Sequence, residues 1–408
     1  MKLTRLGALA IASVVAISAC SAGTPSADGG KGTIDIWSSL PRQGSSKAQT
    51  DTMVNAIKMA IEERGGKVGG YTINYTDKDD STAAAGKWDE ATEIKNANDA
   101  VANDKLVGYL GTLNSGAAKL SIPILCAKGI VMVSAANTAV GLTKKFGEGE
   151  PEKYYPNACK KNYHRVIPND LLQGKAGALW TSQLGAKKVW VVDDTEVYGK
   201  GLADVYASEA PGNGLTVLGR DGIDGKASDY KALAEKIKAA GPDLVYYGGI
   251  TQNNAGQLWR DLRDAMPDVK LMGPDGIFES EFLQAAAASA QGTYITTTAV
   301  PPDQLTGKGA EFIKAYTAKH PNNPVEGYTA YAYESANVLL AAIERAAAKN
   351  PADIPALRAL VLDEVKATKD FDGILGKWTF DADGDTSLVD VSGLIITGDQ
   401  FKFDKVIK

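Results

Sequence analysis

Hydroxyl residues and one aspartate stand at points in this chain where side chains could bind a small charged molecule. Ser115 and Thr138 each follow an apolar, β-rich run and lie among Gly, Ala and Asn residues. Hydroxyl groups and backbone N–H groups near a helix N-terminus favour an anion such as a carboxylate. Asp275, in Gly-Pro-Asp-Gly, would instead favour a cation. Ordinary structural roles are the alternatives, because Ser often caps helices and Pro-Asp-Gly often forms turns.

The elements that would position these residues alternate between strands and helices, and the alternation restarts after Pro168. Such alternation predicts crossover units and parallel sheets, and two series predict two doubly wound α/β lobes. In open sheets of this kind a ligand binds beyond the carboxyl ends of the strands. The predicted strands are 33–37, 71–75, 106–110, 130–133, 188–192, 215–218, 244–247, 269–272, 293–298, 376–380, 392–396 and 401–406, and the predicted helices include 91–101, 230–240, 255–265, 310–320 and 331–349.

Composition excludes several classes of protein. The chain has 408 residues, 44% of them apolar, which suits two domains with sizeable cores. The net charge of −5, without clustered Lys and Arg, argues against nucleic-acid binding. The two histidines, His164 and His320, make no metal-ligand spacing with the cysteines. Neither a Gly-rich phosphate loop nor a nucleophile, His and acid at a known spacing is present. We therefore expect a binding protein that is not an enzyme and uses no cofactor.

One acidic run resembles a metal site. The segment 381–385 has the spacing of a calcium loop, but Thr386 and Ser392 occupy the positions where that loop needs Gly and a bidentate Glu. The run therefore predicts a turn between strands, and we expect no metal.

The N-terminus predicts export. A short basic start precedes an apolar run over 6–17 and then small residues, which is typical of a secretory signal peptide over 1–19. The stretch Ile-Ser-Ala-Cys that ends at Cys20 resembles the lipobox of bacterial lipoproteins, which implies cleavage before Cys20 and a lipid on its thiol. Residues 20–32 are small, polar and Gly-rich, as in a flexible tether. The expected location is extracytoplasmic, lipid-anchored to the bacterial cell membrane, and an ordinary signal peptide is the alternative.

The remaining cysteines are a candidate disulfide. If Cys20 carries the lipid, Cys126 and Cys159 form an even pair in an oxidising compartment. Their bridge would close a loop of about 34 residues and contribute roughly 3–4 kcal/mol. Two free thiols are the alternative.

Five short blocks carry a resemblance to a known family. In their order and spacing they resemble type I periplasmic binding proteins, specifically the branched-chain (Leu/Ile/Val) amino acid receptors of ABC transporters. The resemblance implies two lobes joined by three hinge crossovers, with 33–166 plus 299–380 as the N-terminal lobe and 167–298 plus 381–408 as the C-terminal lobe. The blocks are Gly-Thr-Leu-Asn-Ser (111–115), Val-Ser-Ala-Ala-Asn-Thr (133–138), Asp-Asp-Thr-Glu-Val-Tyr-Gly-Lys-Gly-Leu (193–202), Val-Tyr-Tyr-Gly-Gly (245–249) and Met-Gly-Pro-Asp-Gly (272–276).

The resemblance implies roles for individual residues. Ser115, the backbone of Ala136 and Thr138 match the groups that bind the ligand carboxylate in the family. Asp275 matches the acidic residue that pairs with the α-ammonium group, although the family usually has the longer Glu there. Tyr198 matches a tyrosine that closes over the ligand, and core packing is its alternative role.

Two positions depart from the family. Gln49, predicted in the loop before the first helix, and Ile250 stand where family members often carry aromatic residues that contact the ligand. We hold both as pocket candidates, and the departures leave the identity of the solute open.

The function that the resemblance implies is that of an extracytoplasmic lipoprotein receptor. It would bind a small amino acid, aliphatic or branched-chain, close around it as a monomer, and deliver it to an ABC permease. Two alternatives stay open: an aromatic acid, amide or urea-like solute, and a lipoprotein that senses its ligand without transport.

Overall fold

The computed structural model describes residues 30–408. The predicted signal peptide 1–19, Cys20 and most of the predicted tether lie outside the described residues. Within 30–408, no helix is both long and apolar enough to cross a membrane.

The first of two large sheets contains the strands between residues 33 and 165. Over the described residues it has six strands in the order β2-β3-β1-β4-β5-β6, all parallel except β2, which pairs antiparallel with β3. Every residue of β4 is buried, because helices cover both faces of a parallel sheet. The strands are β1 (Thr33–Leu40), β2 (Lys67–Val68), β3 (Tyr71–Asp79), β4 (Leu106–Gly111), β5 (Val131–Ser134) and β6 (Tyr163–Arg165).

The second large sheet combines strands from the middle and the end of the chain. Its strands in the described part follow the order β15-β14-β11-β10-β9-β7-β8. The two strands nearest the end of the chain, β14 and β15, form an antiparallel hairpin at one edge, and β14 also pairs antiparallel with β11. A separate small hairpin pairs β12 with β13. The strands are β7 (Lys188–Asp193), β8 (Thr216–Gly222), β9 (Leu244–Gly248), β10 (Lys270–Gly273), β11 (Tyr294–Thr297), β12 (Phe371–Gly373), β13 (Gly376–Trp378), β14 (Ser392–Thr397) and β15 (Gln400–Val406).

Helices cover both sheets. The longest, α10, packs against α1 and α11 and contributes many buried side chains to the core of the first sheet. The chain therefore returns to the first lobe after completing most of the second. The helices are α1 (Lys47–Glu62), α2 (Glu90–Ala102), α3 (Ser115–Cys126), α4 (Asp170–Gln183), α5 (Val197–Glu209), α6 (Lys231–Ala240), α7 (Ala255–Ala265), α8 (Ser280–Ala286), α9 (Lys308–Lys319), α10 (Thr329–Ala347) and α11 (Ile354–Lys366).

Two α/β lobes are thus confirmed, and over residues 30–408 the chain crosses between them three times. The first and third crossings are joined by a buried ion pair in which Arg165 Nε lies 2.7 Å from Asp385 Oδ1. Asn169 donates to the other oxygen of Asp385 at 2.9 Å. The crossings run through 166–169, 298–307 and 379–391.

The acidic run 381–385 is a turn, as predicted. The N–H of Gly384 donates to the carbonyl of Asp381 at 3.2 Å. Lys144 Nζ lies 2.6 Å from a carboxylate oxygen of both Asp381 and Asp383. A single lysine ammonium therefore pairs with both carboxylates.

The predicted disulfide is formed between Cys126 and Cys159, with an S–S distance of 2.00 Å. It joins the carboxyl end of α3 to the segment before β6. The alternative of two free thiols is therefore wrong.

Candidate functional site

A cleft between the two lobes contains a pocket of about 440 Å³ that is partly open to solvent. Each lobe supplies half of its wall, and the wall contains all of the predicted ligand-binding and pocket residues except Thr138. The lining residues are Gln49, Leu113, Asn114, Ser115, Ala136 and Tyr328 from the first lobe, and Tyr198, Ile250, Gln252, Asp275, Gly276 and Glu279 from the second.

These residues meet because most of them follow the carboxyl ends of parallel strands. Ser115 and Ala136 come directly after β4 and β5, whereas Tyr198, Ile250 and Asp275 follow β7, β9 and β10. The loops at that edge of each sheet face the other lobe, as open α/β sheets predict. Sequence positions that are far apart therefore converge on one cleft.

Ser115 is the first residue of α3, and Asn114 is its N-cap residue. Ser115 is therefore not the helix cap that was the alternative. Its hydroxyl oxygen accepts a hydrogen bond from the N–H of Ala139 at 3.3 Å, which leaves the hydroxyl proton able to donate. The backbone N–H groups in the first turn of a helix have no intrahelical acceptor and carry partial positive charge. This corner of the cleft is therefore suited to an anion.

Ala136 and Thr138 both follow β5, but only Ala136 belongs to the wall of the cleft. Ala136 lines the cleft, and its N–H donates to Ser134 Oγ at 3.2 Å. Thr138 lies behind the wall, where its carbonyl accepts from the N–H of Asp170 at 2.9 Å. Within the described residues its buried hydroxyl has no hydrogen-bond partner.

Asp275 is the acidic group of the second lobe and is only 2% exposed. Gln173 Nε2 donates to its Oδ1 at 3.0 Å, and the hydroxyl of Tyr198 donates to the same oxygen at 2.5 Å. The hydroxyl of Tyr328 donates to Oδ2 at 2.9 Å. Burial raises the pKa of Asp275, and these three donors oppose the rise because they stabilise the carboxylate. A carboxylate has room for about four donors, so one further donor can bind.

A second acid, Asp170, lies buried near this carboxylate at the start of α4. Burial and the charge of Asp275 raise its pKa well above the ordinary value. The neighbouring hydroxyl of Thr138 and the charge of Arg165 oppose this rise. The surroundings of Asp275 therefore favour a cation.

Tyr198 packs in the core and also lines the cleft. Its ring packs in the core of the second lobe, while its hydroxyl contacts Asp275 and accepts from the N–H of Gly276 at 3.2 Å. Tyr328 reaches the same carboxylate from the first lobe, immediately before α10. Tyr328 therefore links the two lobes across the cleft.

The two pocket candidates both line the cleft. Gln49 is the third residue of α1, so its predicted place in the preceding loop is wrong. Ile250 is buried and apolar. Beside them, Gln252 Nε2 donates to Glu279 Oε1 at 2.7 Å, and burial raises the pKa of Glu279 to about 8.

The model of the periplasmic binding protein family matches residues 33–389. The chain belongs to this family. This periplasmic binding protein therefore has a solute-binding role and works outside the cytoplasm. The expectation of a binding protein rather than an enzyme is confirmed by the family.

Relatives of this periplasmic binding protein differ in the solutes that their names give. The Leu/Ile/Val-binding protein BraC3 of Rhizobium johnstonii is 28% identical over 86% of this chain and 88% of its own length. The leucine-binding protein LivK of Thermotoga maritima shares the fold with a TM-score of 0.80, at 23% identity over 92% of this chain and 99% of its own. A solute-binding protein of R. palustris in complex with benzoate shares it with a TM-score of 0.76, at 16% identity over 92% and 96%.

Sequence analysis missed several residues of this periplasmic binding protein's cleft. Gln252 comes three residues after a recognised block, and Glu279 comes four residues after Asp275, so both were within reach of the strand-end rule. Tyr328 and Gln173 carried no such signal, because helix packing brings them to Asp275 from distant parts of the chain.

Proposed function

We propose that this periplasmic binding protein binds an α-amino acid between its lobes and delivers it to an ABC permease. The observation that carries the proposal is the opposite chemistry of the two cleft walls. Ser115 and the start of α3 present donors on one side, and Asp275 presents a buried carboxylate on the other.

The α-carboxylate of the ligand would bind at the first lobe. It would accept hydrogen bonds from the hydroxyl of Ser115 and from backbone N–H groups of the first turn of α3. The backbone of Ala136 borders the same corner. Thr138 would contribute only if its buried hydroxyl turned toward the ligand, since it lies behind the wall.

The α-ammonium group would bind Asp275. Three donors already hold this carboxylate, and an ammonium N–H would occupy its remaining acceptor position. In a closed cleft with little water, this charge-assisted contact is stronger than on the surface. A simple carboxylic acid would leave Asp275 without that partner.

Closure would follow from holding the two ends of the ligand on different lobes, since binding then favours the closed arrangement. Tyr328 already reaches across to Asp275. Lys87 of the first lobe also lies 2.8 Å from Glu196 and 2.6 Å from Asn253 of the second. The proposed lobe boundaries, 33–166 with 299–380 and 167–298 with 381–408, are supported by the membership of the two sheets.

The lipid anchor and the permease complete the proposal. A lipid at Cys20 and a tether over 20–32 would keep the receptor at the membrane, near a permease. Metabolic labelling with a radioactive fatty acid tests the anchor: the label should be incorporated by the natural protein and lost in a Cys20→Ala variant. Permease and ATPase genes beside this gene would support transport, whereas a kinase gene would favour sensing.

Calorimetry with a panel of amino acids and of their deamino analogues tests the binding proposal. We expect at least one amino acid to bind far more tightly than its analogue. If only aromatic acids or amides bound, the solute would be the alternative class. If none of the panel bound or raised the melting temperature, the proposal would fail.

A further inference from the structure

Three polar side chains lie together in the part of the cleft that the proposed α-carboxylate and α-ammonium contacts leave for the ligand side chain. Gln49, Gln252 and Glu279 all line the same cavity. The helical turn 251–253 packs against the turn 44–46 that precedes α1, and α8 packs against α1. Elements of both lobes therefore bring these polar groups to one end of the cleft.

Glu279 and Gln49 supply the oxygens of this group that could accept a hydrogen bond from a ligand. Glu279 is 6% exposed, and its Oε1 accepts from Gln252. Gln49 is 2% exposed, and its buried Oε1 has no hydrogen-bond partner among residues 30–408. Within the described wall of the cleft, none of the lining residues is Lys, Arg or His. The acceptors therefore lack a cationic partner within that wall.

An aliphatic ligand side chain would supply no hydrogen bond to these buried oxygens. Buried polar groups without partners cost free energy, and buried charges without partners cost more. A side chain that ends in N–H groups would donate hydrogen bonds to the carboxyl group of Glu279 and to Oε1 of Gln49.

We infer that the ligand is an amino acid whose side chain ends in N–H donors, accepted by Glu279 and Gln49, and not an aliphatic amino acid. This inference rests on the proposed function, because it assumes that the α-carboxylate and α-ammonium bind as described. The donor group is an ammonium or guanidinium in one case and a carboxamide in the other. The two cases share the N–H chemistry and differ in charge.

The state of Glu279 separates the two cases. Burial raises its pKa to about 8, and the charges of Glu326 and Glu281 contribute in the same direction, while hydrogen bonds with Thr251 and Gln252 oppose it. At about pH 7 the free protein therefore holds a proton on this carboxyl. A cationic side chain would stabilise the ionised form and release that proton. A carboxamide would bind without proton release.

Calorimetry with norleucine, glutamine and lysine, which have side chains of similar length, tests the inference. Measuring each in two buffers of different ionisation enthalpy counts the protons released. We expect lysine or glutamine to bind more tightly than norleucine, with up to one proton released for lysine. Tighter binding of norleucine than of the other two would overturn the inference.

A matched pair of variants locates the effect. Glu279→Gln should weaken the preferred ligand by on the order of 10- to 100-fold if it is cationic and by a few-fold if it is a carboxamide, with norleucine unchanged. Glu235→Gln, at an exposed position of α6 that neither lines the cleft nor contributes to the pKa of Glu279, should leave the binding of all three ligands unchanged. Equal weakening of all three ligands by Glu279→Gln, or none, would overturn the assignment of Glu279.

The outcomes also separate this inference from the proposed function. If amino acids bind and depend on Asp275, but norleucine is preferred, the proposed function stands and the side-chain assignment fails. If no amino acid binds at all, the proposed function itself fails. Melting curves of each variant without ligand show whether its fold is intact.

Discussion

Replacing Asp275 by Asn would remove one negative charge with little change of shape. The amide oxygen of Asn can take the place of Oδ1 and keep the donors from Gln173 and Tyr198. The amide nitrogen then takes the place of Oδ2, and the hydroxyl of Tyr328 can rotate to accept from it. We therefore expect the variant to fold, so that its binding can be measured.

The size of the effect follows from the burial of the site. A hydrogen bond to a charged group is worth about 1.5–3 kcal/mol, and removing one partner of a buried ion pair costs about 3–5 kcal/mol. Asp275 is 2% exposed and already accepts three hydrogen bonds, so a loss of about 2–4 kcal/mol is expected. That corresponds to roughly a 30- to 1,000-fold increase in Kd.

Calorimetry should compare the preferred amino acid with the acid that has the same side chain but no α-amino group. The amino acid should lose the full amount of binding free energy, about 2–4 kcal/mol, in Asp275→Asn. The deamino acid should bind as before or better, because the natural carboxylate has no cation to meet in that complex. Asp264→Asn, at an exposed position on α7, is the control. Equal losses for both ligands would refute the ammonium role of Asp275.

Three further perturbations test other parts of the account. Tyr328→Phe removes the donor that crosses the cleft and should weaken binding by about 10-fold. If the variant bound the ligand with the affinity of the natural protein, and had the same radius of gyration with ligand, the result would count against a part for Tyr328 in closure. Replacing Cys126 and Cys159 by Ser should lower the free energy of unfolding by about 3–4 kcal/mol, measured with urea, since the bond closes a loop with a sequence separation of 33; a loss below about 1 kcal/mol would contradict that estimate. Burial by itself would raise the pKa of Asp385, but the charge of Arg165, the hydrogen bonds from Arg165 and Thr143 and the charge of Lys144 together outweigh it and hold the pKa below the ordinary value. The stability from this pair is therefore present above about pH 4 and is lost as the pH falls through the lower folded-state pKa. Asp385→Asn should show a flatter pH profile of stability in that acidic range, and parallel profiles would argue against the pair.

Strand ends were the part of the site that sequence alone could locate. Apolar runs such as the one that became β4 are buried on both faces, so their limits were predicted to within one residue. Ser115 and Asp275 follow such strands directly, and this placed them at the cleft edge. The same reasoning could not reach Tyr328, because its position depends on how α10 packs on the first lobe.

Other elements were missed for local reasons. β6 has only three residues and no apolar alternation. α11 was not predicted, although Asp353 caps it and Pro355 stands in its first turn, which are ordinary helix-start signals. Gln49 was placed in a loop because the first turn of α1 is polar. Burial within the assembled lobes decides the cases of β6 and Gln49, whereas local signals alone could have indicated the start of α11.

A crystal structure of the protein with the amino acid that stabilises it most would test the central claim directly. We predict a closed cleft with the α-carboxylate at Ser115 and the start of α3, and the α-ammonium within hydrogen-bonding distance of Asp275. A ligand bound in the opposite orientation, or one whose nitrogen atoms do not contact Asp275, would contradict the account.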